Sequence, residues 1–365
     1  MGKEWFEFPY TSENLLGPKI LFPDISTEPR CTFDSTGEIL ILNTAYGAVL
    51  KSEIQESVQY VCALFNSSPL RFMFTVLSPK LSGGYYRFQT QYVGKLPIPS
   101  VLDQNETQGQ ISDILSEYNC LIDKPTNFEP EQFEDRYDDL GDKNKITHDI
   151  LSQLADKMVD LRSQRNHFNL HIPDYLGDYQ DGKSLSEISG YQPPQGVSDS
   201  YLSSTSEEID SLRIGDVKVE QEGRKLVIKT KARYKPENED EFETDQWGYT
   251  KTDFIPAMEF VGLDDLTEAL ITEFVPYAVE EAGGYADFRE QATTTNTLID
   301  RLGNLTLPKL NDVEGGLERY LNKKEEADIL DSKINKTDLL IDTIAFGLYE
   351  LSDDEIDIIE SSLEE

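Results

Sequence analysis

Along residues 19–50, KILFPDISTEPRCTFDSTGEILILNTAYGAVL, short apolar runs are punctuated by Pro, Gly and Asp, the pattern of short strands. Residues 53–78 read as two helices, SEIQESVQYVCALFNS and PLRFMFTVLS. Pro69 stands at the start of the second, where its missing N–H costs nothing. SPKLSGGYYRFQTQYVGKLPIP follows as a loop and strand closed by two prolines, then a helix over 107–122 and an acidic, loop-rich stretch over 123–145. Over 146–168, Leu151, Leu154, Met158, Leu161 and Phe168 step by three and four, with Arg165 interrupting, which makes a heptad seam. Residues 173–212, rich in Gly, Pro, Ser and Asp, read as a linker or surface excursion. Val217 and Val219, then Leu226 and Ile228, alternate with polar residues around Glu222-Gly223 and predict a β-hairpin; PENEDEFETDQ after it reads as a solvated acidic turn.

Helices are expected over 263–275, 276–282, 284–302 and about 312–350. In the last of these Tyr320, Ala327, Leu330, Ile334, Ile341, Ile344 and Leu348 again step by three and four. Ser352 with Glu355 forms a capping box before a final helix carrying Ile356 and Ile359. The two long helices fit an antiparallel coiled-coil spacer and fit equally an ordinary bundle. The fold class expected is α+β: a mixed α/β region over 1–102, a helical segment over 103–177, a linker with the hairpin over 178–262, and a helical region over 263–365. No repeat is visible.

Composition bounds the class. The 365 residues include 38% hydrophobic and 10% aromatic residues, enough for real cores. No apolar run approaches the ~18 residues of a membrane span, and MGKEWFEFPYTSENLL lacks the apolar stretch of a signal peptide. Cys31, Cys62 and Cys120 are far apart in sequence and in no metal spacing, which fits a reducing cytoplasm and neither a disulfide scaffold nor a zinc module. The formal net charge is −36. Such a chain binds basic partners, or carries its acid as a solvation coat for very high salt. The acids are interspersed along helices rather than gathered in one tail, which favours the second reading. At molar salt the Debye length is about 3 Å, so the self-repulsion is largely screened.

Against that background the missing acid is informative. Residues 57–102 contain no Asp or Glu, but do contain Arg71, Lys80, Arg87 and Lys95. YVCALF and LRFMFTVL within this stretch read as core. The polar, Gly-rich and aromatic SPKLSGGYYRFQTQYVGK does not, and a surface without acid in an acid-coated protein suits a polyanion. Arg87 between Tyr86 and Phe88 is the best candidate for a nucleic-acid-proximal side chain, with Tyr85 and Tyr92 beside it. Gly83 and Gly84 would allow close backbone approach, and Arg71, Lys80 and Lys95 suit phosphates. The structural alternative packs Tyr85, Tyr86 and Phe88 in a core while Arg87 holds a carboxylate. A second basic island, residues 213–235, has 8 basic and 3 acidic residues. There Lys225, Lys229, Lys231, Arg233 and Lys235 share one face of the predicted hairpin, lining either a DNA contact or a lysine-protected edge.

Catalytic motifs are not found. There is no glycine-rich dinucleotide or phosphate loop and no (D/N/S)PP(Y/F). His167 and His171 make a weak metal pair without a third ligand. An Asp216, Glu222, Lys225 nuclease triad can be written but is unpersuasive. No catalytic, cofactor-binding or metal-binding residue is assigned.

KILFPDISTEPR, NTAYG, LFNSSPLRF and above all SPKLSGGYYRFQTQYVGKLPIP resemble the TaqI-like C-terminal specificity domain. That domain is the target-recognition part of large adenine-specific DNA methyltransferases and of combined (type IIG) restriction–modification enzymes. ILSQLADKMVDLRSQRNHFNLHIPDYLG, WGYTKTDFIPAMEF with FVPYAVEEAGG, and LLIDTIAFGLYELSDDEIDIIE resemble versions from salt-loving archaea. The resemblance implies a cytoplasmic partner of double-stranded DNA in restriction–modification or phage defence. It also implies a methyltransferase domain or subunit, encoded upstream and missing here, that would bind S-adenosylmethionine; this chain would then be inactive alone. A structural subunit acting through the long helices, or a metal-dependent nuclease, are the alternatives.

Overall fold

The computed structural model describes residues 16–41, 44–100, 143–238, 241–281 and 295–364, and positions 112, 115, 116, 118, 119 and 122 of the expected 107–122 helix, all helical. The acidic 123–142 stretch lies outside the described residues. The chain is α+β and divides into two compact units, Met1–Phe168 with Ala327–Glu365, and Asn169–Glu326.

In the first unit the short apolar runs become β1 (Lys19–Pro23), β2 (Ile25–Ser26), β3 (Thr32–Asp34) and β4 (Ala45–Ala48). Antiparallel β1 lies between β3 and β4. Lys19 and Asp34 form a fully buried ion pair at 2.5 Å. Asp34 also accepts from Thr36 N, Thr36 Oγ1, Gly37 N and Ile39 N, so the carboxylate organises the turn after β3. Burial opposes ionisation there, yet Lys19 and these donors together hold the Asp34 pKa far below the carboxylate range.

The two expected helices are α1 (Val58–Asn66) and α2 (Ser68–Leu77). Ser57 caps α1, its Oγ accepting from Tyr60 N at 3.1 Å. Asn66 clamps the Cys31 backbone both ways, at 2.9 Å each. Ser68 donates through N and Oγ to the Asp342 carboxylate, each at 2.7 Å. The LPIP run is fixed through its carbonyls: Tyr349 OH donates to Pro97 O (2.8 Å) and Tyr60 OH to Pro99 O (3.0 Å). β5 (Tyr86–Arg87) and α3 (Thr90–Val93) lie before it. The thiols of Cys31 and Cys62, distant in sequence, come within 3.5 Å of each other.

The heptad seam of α4 (Lys143–Asn166) does not form an isolated two-stranded spacer. Ile146, Ile150, Leu151, Leu154 and Leu161 share one core with Tyr60 and Leu64 of α1, Ile20 of β1, and Ile334, Ile341 and Ile344. Arg162–Asp338 and Arg165–Asp331 ion pairs show α4 running antiparallel to residues 327–348. Those residues end α8 (Leu310–Leu348); α9 (Asp353–Glu364) follows, with Glu355 accepting from Ser352 N at 2.9 Å.

In the second unit the 173–212 stretch is no linker. It forms α5 (Pro173–Leu176), β6 (Asp181–Ser184), β7 (Tyr191–Gln192) and short 3-10 turns, and buries Leu176, Leu185, Leu202 and Leu212. The hairpin is present as β8 (Arg213–Glu222) and β9 (Lys225–Tyr234), with Gly223 at φ 63° in the turn. β9 is the centre of a five-stranded antiparallel sheet, with β8 on one side and, on the other, β10 (Thr250–Lys251) and β11 (Ile255–Val261), β11 being edged by β7. The expected helix break before Pro276 is absent: α6 (Asp265–Glu281) runs through it. Phe274, Val275 and Val279 are buried on both sides of the proline, and that packing outweighs one lost backbone hydrogen bond. α7 (Leu298–Gly303), β12 (Thr306–Pro308), which pairs with β6, and residues 310–326 of α8 complete the core. Residues 282–294 lie outside the described residues.

Candidate nucleic-acid interface

Residues 78–95 are built on one aromatic anchor. Phe88 is buried, stacked on Phe74 at 4.8 Å between ring centroids and tilted against Phe22 at 5.7 Å. Tyr86, two residues earlier and on the same face, is half-buried and meets Phe74 edge-on at 6.4 Å. Alternation sends Arg87 the other way, and its side chain is 49% exposed. β5 pairs antiparallel with β2, Ile25 opposite Arg87 and Ser26 opposite Tyr86.

Arg87 Nε donates to Asp24 Oδ1 at 3.3 Å, and the same oxygen accepts from Tyr46 OH at 2.8 Å. Tyr46, then Arg87, hold the Asp24 carboxyl below its ordinary pKa, so it stays a fixed anion. Among the described residues neither terminal nitrogen of Arg87 is hydrogen-bonded. The carboxylate thus holds the guanidinium through its inner nitrogen, with the two outer nitrogens free of hydrogen bonds among the described residues. The structural alternative holds in part: Phe88 is core, Tyr86 is half-buried and Arg87 holds a carboxylate, while Tyr85 is exposed.

The glycines serve the turn. Gly83 and Gly84 have φ of 85° and 82°, a region glycine enters without strain. Leu81 N–H donates to Tyr85 O (2.7 Å) and Gly84 N–H to Leu81 O (3.1 Å), closing a loop that leaves Tyr85 exposed. Lys80 is exposed, and its Cε lies 3.7 Å from where a Cβ on Gly84 would stand. Tyr92 packs half-buried against the core, and Lys95 is exposed just beyond α3.

Arg71 belongs to a different charged group. It is partly buried on α2 among Arg30, Glu28, Asp338 and Asp342; its Nε lacks a hydrogen-bond partner, and burial, then Arg30, lower its pKa. Asp342 is pushed up to about 6, chiefly by burial.

The basic hairpin face is present, but its cations are not equivalent. Lys225 pairs with Glu259 at 2.5 Å, and Lys229 with Glu220 and Glu222 at 2.7 and 2.5 Å. Arg233 pairs with Asp245. Lys231 stands 4.9 Å from the Phe254 ring centroid. Asp216, Glu222 and Lys225 do not assemble as a triad: Asp216 is paired with Lys251, Glu222 with Lys229 and Lys225 with Glu259. His167 and His171 turn to Ser163 O and Asp174 respectively. Among the described residues no group of three His, Cys, Asp or Glu could hold a metal ion. None of the helices is long and apolar enough to cross a membrane among those residues.

Sequence reasoning missed Asp24 and Tyr46, the groups that orient Arg87, and Tyr249 and Phe254 beneath the hairpin cations. All four lie inside quoted runs, Asp24 in KILFPDISTEPR, Tyr46 in NTAYG, and Tyr249 and Phe254 in WGYTKTDFIPAMEF, but nothing local in those runs marks them as partners of the cations.

Residues 2–98 match the TaqI-like C-terminal specificity domain, a span that includes all of 78–95. A stretch of 144 residues, 38% of the chain, is 28% identical to a protein described as "Type II methyltransferase M.BanIII" from Aneurinibacillus aneurinilyticus. The match covers 24% of that protein, so the chain spans about a quarter of its relative's length. No solved structure matches the chain.

Proposed function

We propose that the chain is the DNA target-recognition portion of an adenine-N6 methyltransferase in a restriction–modification or phage-defence system, and that residues 78–95 meet duplex DNA. An enzyme acting on a base inside a duplex must extrude it, so other surfaces must hold the helix and read neighbouring bases. Phosphate contacts position such a protein, and base-edge contacts give it sequence choice. The observation that carries the reading is Arg87: inside the matched span and an acid-free stretch, its inner nitrogen is fixed and its outer fork presented. A fork of that kind suits guanine O6 and N7 in the major groove. Exposed Lys80 and Lys95 suit phosphates. Catalysis and S-adenosylmethionine belong to a methyltransferase domain or partner, and no residue of this chain is assigned to them.

The test is selection of bound duplexes from a randomised pool by the full chain, alone and co-expressed with a methyltransferase encoded beside it. The expected result is an enriched sequence that Arg87→Ala loses while retaining most non-specific affinity. No enrichment under either condition overturns the reading.

A further inference from the structure

The second unit lies outside the specificity-domain match, yet its hairpin sheet gathers Arg213, Lys218, Lys231, Arg233 and Lys235 around two aromatic rings. The register sets like charges directly opposite each other. Arg233 on β9 faces Arg213 on β8 and Lys251 on β10, a row of three cations across three strands. Lys229 faces Lys218. Directly opposed like charges destabilise a sheet, so such rows need a reason.

Two rings lie against Arg213, Arg233 and Lys218 of these rows, and against Lys231 and Lys235 beside them. Arg213 and Arg233 each lie 4.5 Å from the Tyr249 ring centroid, and Lys235 lies 5.3 Å from it. Lys218 and Lys231 lie 4.5 and 4.9 Å from the Phe254 ring centroid. Each ring attracts its cations and orders long side chains, but supplies no net negative charge. Acids neutralise part of the face: Asp245 meets Arg233, Asp216 meets Lys251, and Glu220 meets Lys218. Lys231 and Lys235 form no ion pair among the described residues. At the hairpin tip, by contrast, Lys225 and Lys229 are closed by Glu259, Glu220 and Glu222.

We infer that the face formed by Arg213, Lys218, Lys231, Arg233 and Lys235 over Tyr249 and Phe254 is a second DNA-contact surface that grips duplex phosphates without reading sequence. The rings are engaged by cations and so are not presented as base-stacking platforms, which favours the backbone of a duplex over a single strand. Alternate β9 side chains stand about 6.7 Å apart, close to the axial rise of two nucleotides on one strand. In a chain of net charge −36, such a face complements a polyanion and little else.

The experiment is a salt titration of duplex binding by the full chain, followed by anisotropy of a labelled duplex of random sequence. Lys231→Gln/Lys235→Gln is compared with wild type, Lys225→Gln and Arg87→Ala. Circular dichroism checks folding, and the 64%-exposed Trp247 gives a fluorescence readout beside the face. The double variant should make the slope of log K against log salt shallower by about 2, at roughly 0.9 per phosphate contact. Lys225→Gln, drawn from a closed ion pair, should leave the slope unchanged. An unchanged slope in a folded double variant overturns the inference, as does an equal effect from Lys225→Gln. So does a face that binds an acidic polypeptide but no duplex. The inference does not rest on Arg87: sequence selection with no effect of the double variant sinks this surface alone. A shallower slope in the double variant, in a chain that selects no sequence, sinks only the recognition reading.

Discussion

The two basic surfaces hold their cations by opposite means. Near residues 78–95 a single guanidinium is aimed: a two-residue strand pairing, a buried phenylalanine stacked on Phe74 and one carboxylate fix it. On the second unit's sheet five cations gather over two rings, and no one direction is imposed. Directed donors suit base edges, whose pattern differs from pair to pair; accumulated charge suits phosphates, which are the same at every step. The contrast teaches that counting basic residues does not find an aimed donor. The hairpin is richer in Lys and Arg than residues 78–95, yet the better-placed fork belongs to the segment with fewer.

If aim depends on the core beneath Arg87, removing that core should abolish it. Phe88→Ala deletes a buried ring stacked on Phe74 and should cost about 3–5 kcal/mol, read as a lower denaturation midpoint. Sequence selection should fail with it while the salt slope contributed by the hairpin face persists. Retained selection in Phe88→Ala would break the comparison.

Next in size is a pH effect confined to the first unit. Asp342 is raised from 3.8 to about 6 by burial while it accepts from the start of α2. The folded state therefore binds more protons than the unfolded chain between about pH 4 and 6, and this group's contribution makes stability fall as pH rises through that window. The contribution is at most about 3 kcal/mol, at 1.36 per pKa unit. Asp342→Asn should flatten the slope between those limits; identical pH profiles for the two proteins would show that Asp342 is not the responsible group. Asp34 acts in the other direction and at lower pH, since its depressed pKa adds stability that is lost as pH falls.

Smaller again is recognition itself. Arg87→Lys keeps the charge and loses the planar fork, so it should lose about 1–3 kcal/mol of discrimination at one base pair with little change in salt slope. A changed slope with intact discrimination would place Arg87 on a phosphate and make the two surfaces alike.

What was legible in the sequence was periodic or local. α1, α2, the hairpin and the long α8 follow from spacing, and Pro69 and Ser352 mark helix starts. The 173–212 stretch misled because Leu176, Leu185, Leu202 and Leu212 are widely and unevenly spaced, and isolated buried leucines in polar surroundings have no period. Pro276 misled because a local breaker was outweighed by packing on both sides. At the candidate interface the acid-free segment and Arg87 could be named, but the carboxylate that aims Arg87 lies 63 residues away in sequence. Likewise Tyr249 and Phe254 stand beside an acidic turn, and only the strand register brings them under the cations. Cross-strand partners and discontinuous units leave no local mark.

The smallest effect separates the turn from the reader. Gly84 has φ 82°, but a Cβ there would meet only Lys80 Cε at 3.7 Å, an ordinary contact. Gly84→Ala therefore costs backbone strain alone, about 1–2 kcal/mol. At Gly83 the Tyr85 ring lies 3.2 Å from the added methyl, so Gly83→Ala must also move that ring and should cost more. Arg87 is held by β2 and Asp24, not by this turn. Gly84→Ala should accordingly leave Lys80 in place, and leave both duplex affinity and the selected sequence unchanged in the same randomised-pool experiment. If Gly84→Ala instead erases the preference as Arg87→Ala does, the turn backbone itself approaches the bases, and aim belongs to the loop rather than to the guanidinium.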